Sequence, residues 1–144
     1  NLNLSTISVI SRNKLSLNEL IKTFENQFQL QGLSNNDNQT QNLIKEADLI
    51  VNTTPVGMKT TKYQNTVLPY GEPFWRSLNS QTIVYDLIYN PSRTPLLTFS
   101  SKKGCMTING LEMLVAQGMK SISFWTDGLE VPFHIMNDAL KKYL

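Results

Sequence analysis

The chain has 144 residues, one domain's worth on size alone, and its 40% hydrophobic and 17% charged content fits a folded globular chain and not a disordered one. No apolar run approaches the length that spans a bilayer, and no signal-peptide pattern opens the chain, so a cytoplasmic, reducing setting is expected, with no membrane partner. The formal charge of +2 gives no ground for a nucleic-acid partner, one cysteine excludes an intrachain disulfide or a multi-cysteine metal site, and one histidine excludes any site that needs two.

The chain alternates between two periods. Ile7-Ser8-Val9-Ile10 is short and β-branched and reads as a strand ended by Ser11-Arg12-Asn13. Ser16 and Glu19 have capping-box spacing, with Leu15 and Leu20 placed for a hydrophobic staple. Leu17, Leu20, Ile21 and Phe24 then recur as one apolar helical face. Phe28 and Leu30 alternate with glutamines, which gives a short strand before Gly32. Ser34 to Asn42 is polar and reads as loop, Leu43 to Ala47 as a short helix, and Leu49-Ile50-Val51 as a strand stopped by Asn52-Thr53-Thr54-Pro55. Lys59 to Gly71 has no periodicity. Thr82 to Ile88 is almost continuously apolar, as in a parallel strand covered on both faces. Thr94 is a good N-cap with Pro95 at the first helical position, Gly104 suits the residue after the helix, and Cys105 to Ile108 reads as a strand. Leu111, Leu114, Val115, Ile122 and Trp125 mark a longer helix on which Gly118 invites close packing, and Pro132 opens a last one bearing Ile135, Met136, Ala139, Leu140 and Tyr143.

Strands alternating with helices predict an α/β domain with a mostly parallel sheet, and such sheets take ligands at the carboxyl ends of their strands. Ser11-Arg12-Asn13, Asn52 to Pro55 and Asp86 to Pro91 all follow strands, so they are candidates for one shared crevice. Arg12 is either an anion-holding cation at a strand end or a solvated arginine in a turn. Tyr89 can offer its hydroxyl to a ligand while Asp86 braces the backbone, or the pair can be a structural turn. Gln117 can donate to and accept from a polyhydroxyl ligand, or face solvent. His134 reads as a surface or packing residue and Cys105 as a small buried one, so no metal site is expected.

In this order the motifs resemble the shikimate dehydrogenase family. The carriers are Ser11-Arg12-Asn13, Asn52-Thr53-Thr54-Pro55-Val56-Gly57-Met58, Asp86-x-x-Tyr89-x-Pro91-x-x-Thr94-Pro95-Leu96-Leu97 and Asn109-Gly110-Leu111-x-Met113-Leu114-x-x-Gln117-Gly118. The resemblance implies an incomplete Rossmann-like, doubly wound sheet, in which residues 1–109 form part of an NADP-binding domain and 110–144 a helical segment returning toward a substrate domain. It implies that Ser11, Arg12 and Asn13 hold the 2′-phosphate of NADP. Thr53, Leu87 and Gly110 would line the cofactor, with the last two near the nicotinamide, and Tyr89 and Gln117 would reach shikimate or 3-dehydroshikimate.

The family's proton-transfer Lys/Asp pair belongs to an N-terminal domain, so no catalytic residue is expected in this chain. No G-x-G-x-x-G run occurs in it, and it opens on Asn1 and not on methionine. The expectation is therefore a fragment that starts at the second strand of its fold, leaves a sheet edge uncovered, binds NADP weakly and does not turn over shikimate alone. The full-length form allows a homodimer. Two other readings stay open: a non-catalytic Rossmann-like module that docks with another chain, and a relative acting on quinate.

Overall fold

A computed structural model describes residues 6–34, 38–59 and 68–143. Strands β1 (Ile7–Ser11) and β2 (Leu30–Ser34) pair in parallel, joined by helix α1 (Lys14–Phe24). Helix α2 (Thr40–Glu46) leads to β3 (Leu49–Asn52). A short 3-10 turn (Glu72–Trp75) precedes β4 (Ile83–Asp86), then α3 (Pro95–Lys102) and β5 (Met106–Asn109) follow. Helices α4 (Leu111–Trp125) and α5 (Phe133–Lys141) close the chain. The strands form two parallel sheets, β1-β2 and β3-β4-β5, and β1 does not hydrogen-bond to β3. One core nevertheless serves both. Ile10 of β1 and Ile50 of β3 pack against the cluster of Ile44, Phe74, Trp75, Val84, Leu96 and Leu97. The expected α/β architecture with parallel strands is present, and among the described residues β1 and β3 each have one side with no strand paired to it.

Several local expectations change. Helix α1 is capped by Asn13, whose Oδ1 accepts from the N–H groups of Leu15 and Ser16. That cap starts the helix three residues before the expected one, so Ser16 lies inside it and the capping box does not form. The staple does not form either, with Leu15 77% exposed. The second strand runs through Gly32 and on to Ser34, and does not stop before the glycine. A β-carbon on Gly32 would press on the Leu17 side chain at 3.0–3.2 Å, so the glycine lets α1 lie close to β2. Helix α2 begins at Thr40, inside the expected loop, whose residues 35–37 lie outside the described ones, as do 60–67 of the next loop.

The sheet β3-β4-β5 is not covered on both faces. Val84 and Asp86 are fully buried on one face, but in register on the other lie Leu49, Val51 and Met106, all exposed. The apolar run in β4 is therefore covered by α3 and the core on one side only. Trp125 and Ile135, expected on buried helical faces, are exposed as well. Gly118 does meet a close neighbour, since its β-carbon would come within 2.9 Å of the Met136 methyl on α5.

Candidate functional site

The strand ends are held by one buried carboxylate. Asp86 closes β4 with no exposed surface. Its Oδ1 accepts from Asn52 Nδ2 at 3.0 Å and from the Ile88 N–H at 3.2 Å, and its Oδ2 accepts from the Thr94 hydroxyl at 2.6 Å. Asn52 leads to the loop after β3, while Ile88 and Thr94 lie near the two ends of the loop between β4 and α3. Asn52 Oδ1 in turn accepts from the Thr54 N–H and hydroxyl, which folds the loop after β3. Thr94 Oγ1 accepts from the Leu97 N–H and caps α3, as its sequence position predicts. Asn109 extends the ties, donating to the Ser92 carbonyl and accepting from the Leu111 N–H. Burial pushes the Asp86 carboxyl above its ordinary value, and its three donors pull the other way.

Arg12 and Thr53 line one crevice of ≈ 890 Å³, together with Ser11, Asn13, Thr54 and Tyr70. It lies at the carboxyl ends of β1 and β3, the ligand side of a parallel sheet. Its charged lining is Arg12 and Lys14, with no carboxylate. Ser11 Oγ accepts from the Asn13 N–H at 3.1 Å, which tightens the turn that presents Arg12. Tyr70 carries no sequence motif and was not anticipated. Its hydroxyl donates to the Ile10 carbonyl at 3.2 Å, and its backbone is left-handed with φ 61°. Burial raises the Tyr70 hydroxyl pKa, against the nearby Arg12 charge, which lowers it.

Leu87 and Gly110 meet each other in place of lining this crevice. A β-carbon on Gly110 would overlap the Leu87 carbonyl, and the Gly110 N–H donates to the Ile88 carbonyl at 3.1 Å. The three strand-end motifs thus do not share one open crevice as expected. Two of them line it, and the third joins through the Asn52–Asp86 bond. Tyr89 is half-buried and Gln117 exposed, and neither lines this crevice. His134 is exposed, and the buried Cys105 donates its thiol to the Asn79 carbonyl. No cluster of three metal-binding side chains occurs among the described residues. No described helix is long and apolar enough to cross a membrane. A second, smaller groove of ≈ 520 Å³ is lined by Lys59, Arg93, Lys102 and Phe99 among others.

Known proteins resemble this chain over its whole length. The model of the "Shikimate 5'-dehydrogenase C-terminal domain" matches residues 110–141, which hold Gly110, Gln117 and the whole of α4 and α5. A shikimate dehydrogenase (NADP(+)) of Prochlorococcus marinus strain AS9601 is 81% identical over all of this chain and 50% of its own length. Over its whole length the chain is similar to part of the shikimate dehydrogenases. Among solved structures, the shikimate 5-dehydrogenase of Listeria monocytogenes, in complex with shikimate and NAD, superposes with a TM-score of 0.79 at 28% identity, over 94% of this chain and 47% of that one. A shikimate dehydrogenase in complex with NADP+ superposes at 0.76 with 26% identity, over 96% of this chain and 46% of that one. The chain thus spans about half the length of the curated relatives it matches. These similarities agree with the parallel α/β architecture and with the motifs that end β3, β4 and β5.

Proposed function

We propose that this chain is the NADP-binding part of a cytoplasmic shikimate dehydrogenase, which transfers hydride reversibly between shikimate and NADP+. The crevice between β1 and β3 carries the reading. It puts the Arg12 guanidinium and the Ser11 and Thr53 hydroxyls at strand ends, with no carboxylate to repel a phosphate. Arg12, Ser11 and Asn13 hold the 2′-phosphate there. Asn13 contributes through its backbone turn and its free amide N–H groups, because its Oδ1 is occupied capping α1. Thr53 lies along the cofactor, and Leu87 and Gly110 form the wall for the nicotinamide. Tyr89 and Gln117 reach the substrate's hydroxyl and carboxylate groups.

The hydride chemistry belongs to the bound cofactor. What these residues supply is position: the hydrogen bonds of Asp86 fix the loops after β3 and β4 relative to each other, and Asn109 ties the end of β5 to the second of them, so that the two reacting carbons meet in one geometry. Residues 1–109 form the cofactor domain without its first strand and glycine-rich loop, and 110–144 return toward a substrate domain. Two features support that division: the unpaired sides of β1 and β3, and the open apolar face of Leu49, Val51 and Met106. Proton transfer falls to a Lys/Asp pair in the substrate domain, and the full-length protein is a homodimer.

The test is a chimera that joins this chain to the remaining half of the Prochlorococcus marinus relative, assayed for NADPH formation by absorbance. The chimera is expected to reduce NADP+ with shikimate and not with quinate, while this chain alone gives no rate. An inactive chimera beside an active relative contradicts the proposal. Quinate as the better substrate reassigns the specificity.

A further inference from the structure

Tyr70 holds a backbone conformation that a tyrosine rarely adopts. Its φ of 61° is left-handed, where glycine or asparagine would sit at less cost. Three contacts keep it there. Trp75 Nε1 donates to the Pro69 carbonyl at 2.7 Å and pins the backbone just before Tyr70. The Tyr70 hydroxyl donates to the Ile10 carbonyl near the end of β1. Its ring packs on Phe74, with centroids 4.7 Å apart and planes tilted by 42°, and Phe74 meets Trp75 edge-on. Phe74 and Trp75 are both buried in the core. The ring is thus held at its tip and along one side, and the strained backbone presents it. Residues strained and braced in this way cluster at ligand sites.

Tyr70 is half-buried and lines the same ≈ 890 Å³ crevice as Arg12, Ser11 and Thr53. Arg12 is near enough for its charge to act on the Tyr70 hydroxyl. The crevice therefore offers a fixed aromatic ring close to a cation, with no carboxylate in its lining. A phosphate alone would use the cation and leave the ring idle. A nucleotide uses both, because its base presents a π-face to stack on an aromatic side chain. We propose that Tyr70 is a binding residue for the adenine of the dinucleotide, stacking on the base whose ribose 2′-phosphate Arg12 holds. This rests on the cofactor assignment made above. The base and that phosphate belong to one ribose, so neighbouring residues of one crevice meet both. The ring is already ordered, so stacking costs it little freedom.

The experiment adds 2′-AMP, which carries the base and the phosphate without the nicotinamide, to this chain. NMR then looks for nuclear Overhauser effects between the adenine H2 and H8 protons and the Tyr70 ring. Such contacts are expected. Binding that moves the amides of Ser11, Arg12 and Asn13 with no contact to Tyr70 overturns the inference and leaves the cofactor assignment standing. A chain that binds no 2′-AMP overturns both. This measurement needs no variant, so it decides even if a substitution at Tyr70 prevents folding. Y70L is expected to weaken 2′-AMP about five- to fiftyfold, the usual worth of one stacked base, and to bind inorganic phosphate as the parent does. Y70F keeps the ring, loses the tie to Ile10 and is expected to stay close to the parent. Unchanged 2′-AMP affinity in Y70L, or equal losses in Y70L and Y70F, overturns the inference. Equal weakening of 2′-AMP and phosphate in Y70L does so too, as the mark of a reshaped crevice.

Discussion

Gly110 packs directly on the Leu87 carbonyl, and no other residue type fits there. A β-carbon would occupy the position of a backbone atom and not that of a yielding side-chain tip. Gly110→Ala must therefore move β5 or the loop after β4. The expected cost is about 1–3 kcal/mol of folding stability, as for other overpacked sites. Urea denaturation measures it. A change under a few tenths of a kcal/mol would show that the wall yields freely.

Thr94 does two jobs with one hydroxyl, capping α3 and bonding Asp86. Losing a cap and a hydrogen bond to a charged group together is expected to cost T94V about 2–5 kcal/mol. Thr94→Ser keeps both bonds and is expected to stay close to the parent. Equal losses in the two variants would mean that the threonine methyl, and not the hydroxyl, holds the site.

Asp86 also sets a pH dependence. Burial raises its folded pKa above the unfolded value of 3.8, so the folded state holds the proton more tightly. The stability this contributes is complete below 3.8 and is lost as pH rises through the folded pKa. D86N lacks that titration. The stability of the parent relative to D86N is therefore expected to fall as pH rises from the unfolded pKa through the folded one. Urea midpoints of both proteins across the acid range measure it. A parent that gains relative to D86N with rising pH would show that the folded pKa is depressed.

How far the sequence revealed this site follows from the range of each interaction. Thr94-Pro95 and Gly104 act on their own helix, and α3 begins and ends where they predict. The strand end at Asn52 was legible for the same reason, whereas β4 stops at Asp86, two residues before its apolar run does. The start of α1 was not, because Asn13 and Ser16 offered competing caps and the turn built by Ser11 chose the first. Tyr70, Phe74 and Trp75 come from a stretch with no periodicity and reach the crevice or the core only through the tertiary fold. An apolar strand reads alike whether one face or both are covered, so the open side of Leu49 and Val51 was invisible too.

Gly118 separates packing from propensity. Alanine there gains helix propensity of about 1 kcal/mol, and meets only the mobile end of Met136. Gly118→Ala is expected to leave the melting temperature unchanged or slightly raised. Gly118→Leu is expected to lower it by separating α4 from α5. Two equally destabilised variants would mean that Met136 cannot move.

Arg12 is one of the two cations that line the crevice, with Lys14, and the lining holds no carboxylate. Removing it in Arg12→Ala is expected to weaken NADP+ about tenfold or more, the loss of its charge-assisted hydrogen bonds, and to leave NAD+ nearly unaffected. Parallel titrations of the two cofactors measure it, and equal losses would place Arg12 away from the 2′-phosphate.

The central claim is that NADP binds across the carboxyl ends of these strands. Backbone amide chemical shifts recorded while NADP+ is titrated into this chain test it most directly. The account expects weak, saturable binding that moves the amides of Ser11, Arg12, Asn13, Thr53, Leu87 and Gly110 together, with one dissociation constant. Shifts confined to the basic groove of Lys59, Arg93 and Lys102, or no saturable shifts, would contradict it.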